Sequence, residues 1–103
     1  MKSRRTKATS IPKKVREAVG ERDSYTCIIC GRAGIPNAHY IRRSQGGLGI
    51  EQNIVTLCYE CHHRFDNGDK RQEYSDIIKA YLEKCYPGFG DEERVYDRWN
   101  VKI

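Results

Sequence analysis

The stretch Asn53-Ile54-Val55-Thr56-Leu57-Cys58-Tyr59-Glu60-Cys61-His62-His63 decides how this chain folds. Ile54 to Leu57 is rich in β-branched residues and reads as a short strand. The CxxC pair that follows turns into a short helix over Cys58 to Asn67, which carries both histidines. The same spacing occurs upstream at Cys27 and Cys30, with 27 residues between the two pairs. A CxxC turn aims both sulfurs inward, so two such knuckles complete a tetrahedral four-sulfur site at roughly 2.3 Å per bond, closed to water and therefore structural. Structural zinc is the expected ion, and it can supply most of the folding free energy of so small a domain. Disulfides, a thioredoxin-like redox pair and separate buried thiols are the alternatives. A reducing compartment opposes the first, the missing βαβ pattern the second, and the repeated spacing the third.

Upstream of the first knuckle, Met1 to Ser10 is polar, basic and aperiodic, and reads as disordered. Ser10 can cap a helix that has Pro12 in its first turn and Val15, Ala18 and Val19 on one face, ending near Gly20. Gly31 lets the first knuckle fold back. Residues 32–37 read as loop, Ala38 to Ile41 as a strand, and Arg42 to Gln52 as a glycine-rich excursion. Downstream, residues 70–86 predict a helix, with Tyr74, Ile77, Ile78, Tyr81, Leu82 and Cys85 on one face and Pro87-Gly88 as its stop. Cys85, on that apolar face, reads as a packed thiol. Val95 and Trp99 lie one turn apart and suggest a last short helix. The whole is a single α+β domain: a basic segment over 1–11 and a folded unit over 12–103, with its motif core at 25–67 and a helical region at 70–103.

The 103 residues are 38% hydrophobic and 32% charged, so the apolar core is thin and a metal staple is in keeping with it. Nothing in Met1–Ser10 is followed by the apolar run of a secretory signal, and no segment approaches the length of a membrane span. The reading is a soluble, cytoplasmic protein. Residues 1–22 carry eight Lys or Arg against two Glu, and the remaining chain is nearly balanced. Such a segment can lie along a phosphate backbone; a solvated tail that only aids solubility fits the same count.

The ordered set of Cys27-x-x-Cys30, His39, Arg43-Ser44-Gln45-Gly46-Gly47, Asn53 and Leu57-Cys58-x-x-Cys61-His62 resembles the HNH endonuclease family over about residues 25–67. The resemblance implies a ββα-metal (His-Me finger) fold and a metal-dependent cut in the sugar-phosphate backbone of DNA. His39 would be the general base, Asn53 its positioning residue, and His62 a ligand to a catalytic Mg²⁺ or Mn²⁺. Phage-type members of that family act beside packaging or recombination proteins, which would place this one in a bacterial host cell. Ala38 stands where the family often has an Asp or His ligand, and it cannot bind an ion. On a helix, His62 and Asp66 share a face, a mixed donor pair suited to a hard cation. His63 points about 100° away. Arg42, Arg43, His63 and Arg64 would edge a phosphate-binding cleft, with solvated surface charge as the plain alternative for each arginine. Two other classes stand beside the nuclease: a zinc-stabilised DNA-binding module that does not cut, and an adaptor using the exposed side of the 70–86 helix or Trp99.

Overall fold

The structure, a computed structural model, describes residues 3–96. In chain order it has helices α1 (Arg4–Thr9) and α2 (Lys13–Asp23), strands β1 (Ile35–His39) and β2 (Ile54–Leu57), and helices α3 (Tyr59–Asn67) and α4 (Arg71–Cys85). Short 3₁₀ turns cover Arg43–Gln45 and Asp91–Arg94. The α+β class read from the sequence is the one observed. Among the described residues, no helix is long and apolar enough to cross a membrane.

The two strands pair antiparallel, with Ala38 opposite Val55 and His39 opposite Ile54, and the register slips between Ile35 and Ala38. All four residues of β2 are buried. The reason is that β2 is covered on both faces, so it reads as a continuous apolar run rather than an alternating one. Ile54 points to a small cluster with Val15 and Val19 of α2. Val55 and Leu57 point the other way, into the main cluster, with Ala38, Phe65, Tyr74, Ile78 and Leu82. Cys27, Cys58 and Cys61 belong to that main cluster. The sulfur site is thus part of the core.

Several sequence expectations are corrected. Residues 4–9 form helix α1 rather than a disordered tail: Ser3 caps it by accepting from the Thr6 N–H, and Arg5 donates to the Arg43 and Ser44 carbonyls downstream. Helix α2 does not stop at Gly20 but runs to Asp23 and ends at Ser24 and Tyr25, both at positive φ. Gly20 lets the Tyr25 ring lie directly against the helix, where a Cβ would displace it. β1 begins at Ile35, inside the segment read as loop, and stops at His39. On α4 the buried stripe narrows to Tyr74, Ile78 and Leu82, leaving Ile77 exposed. Val95 closes a lone bridge to Gly47 after the 3₁₀ turn, and Trp99 lies outside the described residues.

Candidate metal centre

The first knuckle is a tight hairpin. The Gly31 N–H donates to the Cys27 carbonyl (2.9 Å), and the Cys27 N–H donates to the Arg32 carbonyl (2.7 Å). Gly31 sits at φ 81°, a conformation that L side chains resist. The Ile28 N–H donates to the Thr56 carbonyl (3.1 Å), which fixes this hairpin to β2. The second knuckle follows directly from β2. Cys58 is the N-cap of α3, its sulfur accepting from the Cys61 N–H (3.4 Å). The strand and the helix start therefore carry both halves of the site.

All four sulfurs lie within 4.8 Å of one another, and Cys30 Sγ is 3.6 Å from Cys58 Sγ. A tetrahedral ion at roughly 2.3 Å from each sulfur needs edges of about 3.8 Å. The donor set fits one ion. Cys27, Cys58 and Cys61 are buried and Cys30 is exposed. Burial disfavours the Cys27 thiolate, but the amides of the surrounding turns outweigh it and bring that thiol down to about 7. Burial pushes the Cys61 thiol up, with the neighbouring cysteines adding to the shift. Cys85 takes no part in the group.

On the other side of α3 a cavity of about 390 Å³ is lined by His39, Arg42, Arg43 and Ser44, and by His62, Asp66 and Asn67. His62 Nε2 stands 3.1 Å from Asp66 Oδ2, one helical turn on. Arg42 donates to the Asp66 backbone carbonyl (3.0 Å). His39 reaches the cavity from the end of β1, but its Nε2 is engaged by the Thr9 carbonyl (2.8 Å). Burial holds the His39 imidazole below its ordinary value, and the Thr9 carbonyl only partly offsets that. Asn53 is fully buried. Its carbonyl oxygen accepts from the Ile41 N–H, and its amide donates to the carbonyls of Ile41 and Leu48. Of the other predicted residues, Arg64 pairs with Glu60 (2.8 Å) and His63 stacks on Tyr59, so neither lines this cavity. Ser44 belongs to the Arg43-Ser44-Gln45-Gly46-Gly47 motif but has no assigned role from sequence, and Thr9 and Asn67 carry no signal there, Thr9 lying in a segment without periodicity.

Among the described residues, the four cysteines are the one group of three or more His, Cys, Asp or Glu side chains close enough to share an ion. His62 and Asp66 are two donors only, and Arg71 already approaches the Asp66 carboxylate (3.9 Å). The expected catalytic Mg²⁺ or Mn²⁺ therefore has no support.

No family model matches the chain, and no solved structure is similar to it. It is similar to the protein named anaredoxin from Nostoc sp. (strain PCC 7120 / SAG 25.82 / UTEX 2576), with 34% identity over 59 residues, 55% of this chain and 78% of that protein. This similarity overturns the HNH endonuclease identity, and the phosphodiester hydrolase expected with it. The motif order has a plainer basis in the fold: Asn53 is occupied in tying the loop after β1 to itself, and His39 in holding α1. With four cysteine thiols gathered at its core and 34% identity to a relative of which it covers 78%, the chain belongs to the anaredoxin family.

Proposed function

We propose that this protein is a metal-binding module with a redox role, in which Cys27, Cys30, Cys58 and Cys61 hold one ion. The supporting observation is the packing of all four sulfurs within 4.8 Å. That spacing favours a single tetrahedral ion over a sulfide-bridged cluster, whose several irons would hold the cysteine sulfurs farther apart. Four thiolates select zinc or a single iron, and zinc is the ion we assign, as a staple of the core. Zinc has no redox chemistry of its own. Electrons exchanged at the site would then come from the sulfurs, and a relative named anaredoxin supports looking for them there. The test is elemental analysis and a visible spectrum of protein purified without added metal. One zinc per chain is expected. One iron, with a sulfur-to-metal absorption that dithionite bleaches, would replace zinc and move the redox role to the ion. Protein with four free, rapidly alkylated thiols and no bound ion would overturn the reading.

A second reading concerns the cavity. Arg42, Arg43 and His62 on its wall, beside the basic α1, favour contact with the phosphate backbone of DNA without cleavage. Fluorescence anisotropy of a labelled duplex checks this. Affinity that falls steeply with salt, and weakens in Arg42→Ala, supports it; no binding at low salt removes it.

A further inference from the structure

We propose that the exposed Cys30 is a site of oxidation by peroxide, and that its sulfur then forms a disulfide with Cys58 across the two knuckles, opening the metal site. The inference rests on the four-thiolate reading above and adds a modification to it. Three observations carry it. Cys30 is the exposed member of the four, so an oxidant meets it first. Its sulfur lies 3.6 Å from Cys58 Sγ, and a disulfide requires about 2.05 Å, so the two must close by about 1.5 Å. Cys30 lies at the exposed turn of the first knuckle, followed by Gly31 at positive φ. Cys58, by contrast, is fixed at the N-cap of α3, where the Cys61 N–H holds its sulfur towards Cys30.

The steps balance. The Cys30 thiolate attacks hydrogen peroxide: an S–O bond forms, the O–O bond breaks, and hydroxide leaves to take a proton from solvent. The Cys58 thiolate then attacks Cys30 Sγ: the S–S bond forms, the S–O bond breaks, and a second hydroxide leaves and is protonated. Two thiolates lose two electrons, and one peroxide becomes two waters. Cys30 and Cys58 thereby withdraw as ligands, leaving Cys27 and Cys61, too few to retain an ion against a competing chelator. Reduction of the bridge returns both thiolates and can restore the site.

The experiment treats the full-length, metal-loaded protein with hydrogen peroxide. It follows ion release with a coloured chelator and maps disulfides by mass spectrometry without reduction. Cys85→Ser serves as the working background, since Cys85 stands outside the sulfur group. The expected result is a Cys30–Cys58 linked peptide, ion release in step with it, and rebinding after dithiothreitol. Adding Cys30→Ser should remove the peptide linkage between the two knuckles at Cys58, whatever ion the variant retains. Should that variant fail to fold, the mapped linkage in the background protein decides alone. Linkages confined to Cys27–Cys30 or Cys58–Cys61, or Cys30 oxidised to the sulfonic acid with no bridge, would overturn the proposal and leave the metal-module reading standing. Protein that carries no ion before peroxide is added would overturn both.

Discussion

At the scale of single residues, Asp23 is the side chain on which most depends outside the sulfur site. It is 8% exposed and sits at the end of α2. Its carboxylate accepts from Arg22 Nε (2.7 Å) and Nη2 (3.0 Å), from the Thr56 N–H (3.0 Å), and from the Tyr81 hydroxyl. Burial alone would raise its pKa; the donors, Arg22 foremost, outweigh it and hold the carboxyl below its ordinary range. One carboxylate thus joins α2, β2 and α4. Asp23→Ala leaves the Arg22 guanidinium half-buried without its partner and should cost about 3 kcal/mol in urea unfolding. A loss below about 1 kcal/mol would show that the network is incidental. His39 gives a prediction in pH. Its folded pKa lies below the ordinary 6.5, chiefly through burial, so the unfolded chain takes up the proton first as pH falls. The stability it contributes is complete above 6.5 and is lost as pH falls through the depressed folded value. His39→Gln keeps a donor for the Thr9 carbonyl and removes the titration. The wild-type melting temperature should therefore drop more than the variant's between about pH 6.5 and pH 5. Parallel curves would contradict this assignment.

At the scale of elements, what was legible depended on whether a segment's partner was written into its own pattern. β2 and α3 were read correctly because β-branched residues and CxxC spacing are local signals. Helix α4 was read with nearly its observed ends, while its apolar face was drawn too wide: Ile77 faces outward because α4 packs against α3 along one narrow line. The four sulfurs were found from spacing alone. Helix α1 is not legible in the sequence because the groups that hold it are backbone carbonyls, hydroxyls and amides from far along the chain, which no periodicity reports. Arg43 donates to Thr9 Oγ1 and Ser10 Oγ, Arg5 donates to the Ser44 carbonyl, and the Gly49 N–H donates to the Ala8 carbonyl. Positive charges that read as a solvated tail are in part structural donors. Arg43→Ala removes one set of these bonds and leaves Arg5 in place. Trypsin cleavage within α1, at Arg4, Arg5 or Lys7, should then accelerate by about tenfold while the melting temperature moves little. Unchanged cleavage would mean that α1 is held by other contacts.

At the scale of the whole molecule, the described residues form two apolar clusters separated by β2, and neither is large. The one beside α2 contains Val15, Val19 and Ile54, with Ile11 at its edge. The other contains three of the four metal-site cysteines, so the ligands are part of its packing. Burying one aliphatic side chain contributes about 2 kcal/mol, while ordering each residue costs about 1–2 kcal/mol in backbone entropy alone. Without an ion, the Cys27 hairpin is attached to the rest by few bonds, such as that from Ile28 to Thr56, and the sulfurs have no shared partner. The ion connects the hairpin to α3, and through α3 to α4, and so converts two small clusters into one cooperative unit. Stripping the protein with a strong chelator under reducing conditions should abolish its sharp thermal transition and its near-ultraviolet circular dichroism. Helical signal from α4 should survive in part. One equivalent of zinc should restore both signatures. The α2 cluster and the Asp23 carboxylate cannot replace the ion, because they join α2 to β2 and α4 and neither bonds the Cys27 hairpin to α3. A chelated protein that still melts cooperatively near its original temperature would show that the apolar contacts suffice, and that the ion is present for its chemistry alone.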